Sequence, residues 1–141
     1  MKIVIYIATF LLMLSVSTTT RADVEIRHGG SRWATIQDDG TIRIGGSSVG
    51  KFEDDGTVRK SGSKIGSVDP EGTIRKNGSS VGKIETNGTL RKSGSTIGKI
   101  ESGGTIRKGG SSWGSATNCC GSHGGKRAVT AALVFFRDDF F

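Results

Sequence analysis

The chain has 141 residues, with 20 Lys and Arg against 13 Asp and Glu and a formal net charge of +7. This length suits one domain, and 23 glycines with only 6% aromatic residues exclude a thick aromatic core. The moderate positive charge favours contact with anionic surfaces but defines neither a fold nor a partner.

The N-terminal segment 1–22 has the pattern of a secretory signal peptide. Lys2 precedes an apolar run over residues 3–16, and small and polar residues follow as far as Ala22. The run is shorter than the ~20 residues that a membrane-spanning helix needs, which favours cleavage over a retained anchor. We therefore expect an exported protein, either periplasmic or at the cell surface or secreted.

Residues 23–117 are built from tandem 16-residue repeats. A degenerate copy comes first, and five clear copies follow at 38–53, 54–69, 70–85, 86–101 and 102–117. A fixed period without slippage is typical of a repeat architecture. The repeats therefore predict one structural unit, made six times.

Each repeat contains two turn signals, with β-branched residues between them. One is a Gly-Gly, Ser-Gly or Asn-Gly dipeptide, which closes tight hairpins because its residues accept positive φ. The other ends in a glycine such as Gly56. Folding at both turns predicts a short strand such as 57–60 beside a longer one such as 47–53.

The two turns also predict a register for the first two clear copies. It sets Arg43 opposite Ser48 and Phe52 opposite Val58. The other predicted pairs are Ile42 with Val49, and Val58 with Ile65. In this register the apolar side chains share one face of the sheet. The repeat arginines share the other face.

The apolar residues of the long strand are spaced unevenly. Val49 and Phe52 are an odd distance apart, so a regular pleat would send them to opposite faces. Gly50 lies between them, and a strand glycine commonly marks a bulge or bend. We therefore predict structural glycines at the recurring position: Gly50, Gly66, Gly82, Gly98 and Gly114. The predicted inward-facing set is Ile42, Val49, Phe52, Val58, Ile65, Val68, Ile74, Val81, Ile84, Leu90, Ile97, Ile100, Ile106 and Trp113.

These features predict an all-β fold in which six tandem 16-residue β-hairpin repeats form a closed toroid or barrel-like ring. Closure removes the exposed strand edges that promote aggregation. The alternative is an open β-solenoid with the same hairpins.

The run Gly72–Gly82, with the pattern G-T-[IVL]-R-x-x-G-S-x-[IVW]-G, resembles the exported bacterial hairpin-repeat proteins described as five-fold β-flowers. The resemblance covers about residues 24–117, and its glycine-rich motifs are moderately specific. It implies a closed five-fold ring in a bacterial envelope protein of unestablished activity. This chain departs from that pattern because it has six recognisable units.

The period ends at Thr117, and the remaining residues differ in character. Residues 118–127 read as a Gly-rich linker with a cysteine pair, and residues 128–141 form an apolar tail with four phenylalanines. The tail is too short to span a bilayer as a helix. We expect a short helix or strand that plugs or caps the ring, with an adhesive end that docks on a partner or membrane surface as the alternative.

No set of residues has the spacing of a catalytic site, and only Cys119, Cys120 and His123 have metal-like spacing, with His28 as a fourth ligand if the ends of the ring meet. The G-x-S-x-G match around Ser48 lies in a hairpin, whereas a nucleophile elbow needs a strand-to-helix turn. Cys119, Cys120, His123 and His28 form a poor ligand set for zinc. We therefore expect no enzyme activity, no metal and no cofactor; an enzyme would need catalytic groups near these histidines and cysteines. In an oxidising compartment the cysteines form either a disulfide with each other or a link to another molecule.

Basic residues recur in step with the repeat, and they are the candidate ligand-binding residues. They are Arg43, Arg59, Arg75, Arg91 and Arg107, followed by Lys60, Lys76, Lys92 and Lys108. One interpretation is a solvated face that acidic residues neutralise across the strands. The other is a cationic lattice for a polyanion such as lipopolysaccharide, an acidic glycan or nucleic acid. Specific nucleic-acid binding is disfavoured because the repeats lack interleaved aromatic residues.

The leading functional hypothesis is an exported, non-enzymatic β-repeat protein that acts as a structural or binding module in the bacterial envelope. Its partner would be an anionic envelope polymer or another protein. One alternative is a polyanion binder that uses the Arg/Lys face. The other is an envelope-active effector whose Phe-rich tail makes peripheral contact with a membrane.

Overall fold

The computed structural model describes residues 23–141, so the predicted signal peptide lies outside the described residues. In chain order the strands are β1 (Val24–His28), β2 (Ser31–Ile36), β3 (Thr41–Ile44), β4 (Ser47–Phe52), β5 (Thr57–Lys60), β6 (Ser63–Val68), β7 (Thr73–Lys76), β8 (Ser79–Ile84), β9 (Thr89–Lys92), β10 (Ser95–Ile100), β11 (Thr105–Lys108) and β12 (Ser111–Thr117). One helix, α1 (His123–Phe136), follows. No helix in this part of the chain is long and apolar enough to cross a membrane.

The twelve strands form a closed antiparallel barrel. Each strand pairs with its neighbour in the chain, and β1 closes the ring by pairing with β12. At this seam Ile26 lies opposite Ala116, so the degenerate first copy supplies one side of the closure. The predicted closed ring of six hairpin repeats is confirmed and the open solenoid is excluded. The barrel has six hairpins, whereas the resemblance to the β-flower proteins implies five.

Two kinds of turn define the two ends of the barrel. Within each repeat two residues join the strands, as at Ser61-Gly62 and Asn77-Gly78, where both residues have positive φ; this is the type I′ geometry that such dipeptides favour. Between repeats the turns are four residues long, at 37–40, 53–56, 69–72, 85–88 and 101–104. We call these ends the tight-turn rim and the wide-turn rim.

Each hairpin has a one-residue bulge in its longer strand. Arg43 pairs with Ser48 as predicted, but Ile42 pairs with Gly50. Val49 is therefore the extra residue, and the predicted Ile42–Val49 pair is wrong. The bulge resolves the odd spacing along the strand, because two residues of β4 face one residue of β3.

The second hairpin repeats this geometry. Val58 pairs with Gly66, so its predicted pairing with Ile65 is also wrong. The pairing of Phe52 with Val58 across the wide turn is as predicted. The uneven spacing in the sequence locates the irregularity correctly, but the inserted residue precedes the glycine.

The bulge brings each inward glycine against the backbone of the next strand. A Cβ atom on Gly66 would lie 2.3 Å from the carbonyl oxygen of Arg75. At the equivalent glycines, Gly50, Gly82, Gly98 and Gly114, the corresponding distances are 2.4, 2.2, 2.3 and 2.1 Å. No side chain fits in such a space, so the recurring glycine is required by close backbone approach.

The inner face of the barrel is apolar. Its fully buried residues are Ile26, Ile42, Val58, Val68, Ile74, Ile84, Leu90, Ile100 and Ile106. The remaining members of the predicted inward set, which are the bulge residues and Phe52, are only partly buried: Val49, Phe52, Ile65, Val81, Ile97 and Trp113. Each fully buried aliphatic side chain contributes about 1.5–3 kcal/mol to folding.

Helix α1 lies inside the barrel. It packs against β2, β6 and β8, and β2 and β8 stand on opposite sides of the ring. Six consecutive residues, 129–134, are buried, so every side of the helix is covered by the wall. Thr130 satisfies its hydroxyl by donating to the carbonyl oxygen of Lys126 at 2.8 Å. The C-terminal residues thus form a short helix that plugs the ring.

The helix begins earlier than the sequence indicates. Ser122 caps it by accepting a hydrogen bond from the backbone N–H of Gly125 at 3.0 Å. Residues 123–127 are therefore helical, and the connection from β12 consists of residues 118–122. Within that connection Cys119 and Cys120 form a disulfide with each other.

The packing around the inward glycines predicts a graded response to alanine. Gly66→Ala brings the new methyl group against both the Arg75 carbonyl and the Phe135 ring, 2.4 Å away, whereas Gly98→Ala meets backbone atoms alone. We expect the free energy of unfolding in urea to fall by about 1–3 kcal/mol for Gly98→Ala and by more for Gly66→Ala.

Gly103→Ala is the matched control, since a Cβ atom added there would have no other atom within 4 Å; it should change stability by less than about 0.5 kcal/mol. If Gly98→Ala were as harmless as the control, the close backbone approach would not be what requires glycine.

Candidate functional site

The repeat arginines lie on the outer wall, and acidic residues neutralise most of them. Arg59 Nε is 2.8 Å from Glu53 Oε2, and Arg91 and Arg107 form the same pair with the acid six residues earlier, each at 2.7 Å. Arg75 and Asp69 are 3.5 Å apart. These pairs are part-exposed, so each contributes up to about 1 kcal/mol. This arrangement agrees with the interpretation of a solvated face whose arginines are neutralised by acidic residues. It leaves few unpaired guanidinium groups for a polyanion.

Arg43 is the exception in this row. The position six residues before it holds Gln37 in place of an acid. Arg43 donates to the carbonyl oxygen of Gly46 at 3.2 Å, but its Nε is buried without a hydrogen-bond partner. The degenerate first copy therefore leaves one guanidinium of the outer wall without a carboxylate.

The repeat lysines occupy the opposite face from the arginines. Lys60 follows Arg59 on β5, and successive strand residues point to opposite faces. Lys60 pairs with the inward-facing Gly50, and Lys76, Lys92 and Lys108 pair with the equivalent glycines. We call these four residues the lysine ring. The structure therefore separates the candidate basic residues into an outer arginine row and a lysine ring at the tight-turn rim.

The end of the chain fills the space inside the lysine ring. The rings of Phe136, Phe135 and Phe141 lie against Gly50, Gly66 and Gly82 respectively. Phe140 packs edge-on against Trp113, with 5.1 Å between ring centroids. Phe140 is buried, and the other rings are half-buried. We call this group, together with Trp33, the aromatic cluster.

Lysines and aromatic rings alternate around this rim. Lys92 Nζ lies 5.1 Å from the centroid of Phe141, and Lys76 Nζ lies 5.6 Å from the same ring. Lys108 Nζ is 5.8 Å from Phe140. Lys92 and Lys108 also donate to the main-chain oxygens of Phe141 and Asp139. Cation–π contacts and hydrogen bonds thus hold the tail within the lysine ring.

Two further side chains complete the tight-turn rim. The guanidinium of Arg137 lies 5.2 Å from the ring of Trp33 and 5.0 Å from that of Trp113, and its Nε donates to Asp139 at 2.7 Å. His28 stacks on Trp113 with ring centroids 4.0 Å apart. This rim therefore combines cations with a partly exposed aromatic surface.

The charges of the molecule are separated along the barrel axis. Nine of the thirteen carboxylates lie in the wide turns, and those turns contain no Lys or Arg: Asp38, Asp39, Glu53, Asp54, Asp55, Asp69, Glu71, Glu85 and Glu101. Within residues 23–141 the only acids at the tight-turn rim are Asp138 and Asp139. The barrel thus has one acidic end and one basic end. Sequence reasoning missed this polarity because it placed all the repeat cations on one surface.

The two histidines lie at opposite ends of the barrel, so His28 does not join His123 and the cysteines. His28 ends β1 at the tight-turn rim, where its Nδ1 is 2.7 Å from the carbonyl oxygen of Trp113. His123 begins α1 at the other end, and burial, with the charge of Arg127, lowers its pKa. Among residues 23–141 no three His, Cys, Asp or Glu side chains form a group that could hold a metal ion.

The missing acid beside Arg43 predicts a stabilising substitution. Gln37→Glu places a carboxylate where the other copies have Glu53, Glu85 or Glu101, and it should raise the free energy of unfolding by a few tenths of a kcal/mol. The gain should shrink at 1 M salt because exposed pairs are screened. Glu53→Gln is the reciprocal control, and its free energy of unfolding should fall by a similar amount. If the urea midpoint of unfolding were unchanged in both variants, the pairing of Arg43 with residue 37 would not explain the difference between the copies.

The wide turns predict a pH effect. The backbone N–H of Thr57 donates to Asp55 Oδ1 at 2.9 Å and lowers the pKa of that carboxyl. Because the pKa is lower in the folded chain than in the unfolded chain, the stabilisation is present above the unfolded pKa of about 3.9 and is lost as the pH falls through the folded pKa. Asp55→Asn should therefore flatten the decline of Tm between about pH 4 and pH 2.

The chain itself shows that asparagine keeps this hydrogen bond, since Asn87 accepts from the N–H of Thr89 at 2.9 Å. Asp54→Asn removes one charge from the same turn and serves as the control. If Asp55→Asn left the fall of Tm between about pH 4 and pH 2 unchanged, or if both variants changed it equally, Asp55 would not be the group responsible.

No family model matches this chain, and no curated protein or solved structure matches it. The geometry and charge of the chain itself are therefore the basis for inferring its function.

Proposed function

We propose that the protein is an exported, non-enzymatic binding module that attaches to an anionic lipid surface of the bacterial envelope through its tight-turn rim. The observation that carries this proposal is the lysine ring around a half-buried aromatic cluster. The sequence pattern of residues 1–22 supports export to a compartment that contains such surfaces.

The chemistry of the tight-turn rim supports a lipid surface. Basic side chains close to an anionic membrane gain about 1 kcal/mol each, and aromatic side chains favour the boundary between headgroups and acyl chains. Three members of the lysine ring, Lys60, Lys92 and Lys108, are exposed. The half-buried rings of the aromatic cluster lie between them, so cations and apolar surface would meet the membrane together.

The charge distribution supports one orientation of this attachment. The acidic wide-turn rim would be repelled by an anionic surface, and the basic rim would be attracted to it. Binding through the outer arginine row is less favoured, because carboxylates already pair with Arg59, Arg75, Arg91 and Arg107.

Binding to vesicles tests the proposal with two variants of equal charge. The protein is sedimented with vesicles of phosphatidylglycerol and phosphatidylcholine, and with vesicles of phosphatidylcholine alone. The rim variant carries Lys60→Gln, Lys92→Gln and Lys108→Gln. The control carries Lys51→Gln, Lys83→Gln and Lys99→Gln, which lie on the outer wall opposite repeat arginines.

We expect the unmodified protein to bind only the anionic vesicles, and less tightly as salt rises. The rim variant should lose about 100-fold in affinity, and the control should lose less than about tenfold. Thermal melts verify that both variants stay folded. Equal losses in the two variants, or binding to immobilised heparin without binding to vesicles, would show that a lipid surface recognised by this rim is the wrong partner.

A further inference from the structure

A cavity opens at the wide-turn rim, at the opposite end from the lysine ring. It has a volume of about 390 Å³ and lies between the start of α1 and strands β1, β2 and β4. Its apolar lining includes Val24, Ile36 and Phe52, and the helix contributes Gly124 and Arg127. This volume is within the range of small-molecule pockets.

Arg127 brings a poorly compensated positive charge to this cavity. The residue is only 9% exposed, and one of its nitrogens, Nη2, donates to the carbonyl oxygen of Val68 at 2.7 Å. The guanidinium lies 5.4 Å from the ring centroid of Phe52, but its Nε is buried without a partner. None of the ion pairs among residues 23–141 includes it, although Asp69 and Glu71 attract its charge from a longer distance. A buried cation without a direct ion pair is costly, and burial lowers the pKa of Arg127 despite these two carboxylates, so an anion beside it would be stabilised.

The start of α1 adds positive potential at the same place. The helix has 14 residues and no acidic residue in its first turn, so nothing in that turn offsets the positive end of its dipole. Gly124 and Gly125 line the cavity without side chains. Ser122 already accepts a hydrogen bond from the N–H of Gly125, so the helix start attracts an anion mainly through its dipole, and the buried Arg127 points independently to the same charge.

The mouth of the cavity has the opposite charge. Asp54 lines it and is exposed. Glu53 also lines it but is paired with Arg59 at 2.8 Å. A ligand that enters would therefore meet carboxylates outside and a guanidinium inside. This gradient disfavours a multiply charged phosphate and favours a molecule with one group of each sign.

We propose that this cavity binds a small zwitterionic carboxylate of the size of an amino acid or dipeptide. Its carboxylate lies toward Arg127 and the start of α1, and its ammonium group lies toward Asp54. An apolar side chain contacts Val24, Ile36 and Phe52. The site is at the opposite end of the barrel from the proposed lipid contact, and neither depends on the other.

Three dipeptide probes test the charge pattern by calorimetric titration of the protein. The probes are L-leucyl-L-leucine, its C-terminal amide and its N-acetyl derivative. We expect one molecule of the free dipeptide to bind. The amide should bind roughly 10- to 100-fold more weakly because it lacks the charge-assisted bonds to Arg127. The N-acetyl derivative should lose less affinity, because the Asp54 carboxylate that it no longer contacts is exposed to solvent.

Two variants locate the site. Gly124→Asp adds a carboxylate at the helix start, where nothing lies within 4 Å of the Cβ position; an acid there favours the helix but repels the ligand carboxylate. Gly121→Asp is the control, since its Cβ position is equally open and it lies outside the cavity lining. We expect Gly124→Asp to lose at least about tenfold in affinity and the control to lose little.

Arg127→Met is the direct test, with a thermal melt to verify folding, and it should abolish binding. If that variant unfolds, Gly124→Asp decides. Equal affinity for the free dipeptide and its amide, no binding of any probe at millimolar concentration, or unchanged binding in Gly124→Asp would each overturn the proposal.

Discussion

The width of the ring is the constraint on which the rest of the structure depends. Twelve strands about 4.8 Å apart and tilted by about 40° enclose a barrel roughly 24 Å across. The small side chains of the inner face cannot fill that space, but a helix with its side chains, about 10–12 Å wide, leaves about 6 Å on each side for one layer of wall residues. The helix is therefore part of the core, and residues 129–134 are buried on all sides because the wall surrounds them.

Much of this fold could be predicted because the repeat specifies it locally. A Ser-Gly or Asn-Gly dipeptide fixes a tight turn through its backbone preference, and a 16-residue period fixes the succession of hairpins. The bulge was harder to place. The odd spacing of Val49 and Phe52 revealed an irregularity, but only the backbone geometry shows that the extra residue is Val49 and that Gly50 is pressed against the next strand.

The binding surfaces were less predictable, for two different reasons. Strict alternation along Thr57–Lys60 already implies that Arg59 and Lys60 face opposite ways, so the division of the basic residues was readable from the sequence. The cavity was not readable, because it depends on where a helix of irregular sequence lies inside the ring. Arg127 could be identified from sequence only as a charge near the start of an apolar segment. Its burial beside Phe52 is a tertiary property.

The internal helix also affects how a protein of this kind could change over generations. In open repeat arrays each unit contacts only its neighbours, so units can be gained or lost with modest effect. Here the seam between β1 and β12 joins the first unit to the last, and helix α1 fills the interior. Duplicating or deleting one unit would change the circumference by two strands. The wall would then either leave a cavity around helix α1 or overlap with it sterically. Copy number in such a barrel should therefore evolve only together with the segment that it encloses.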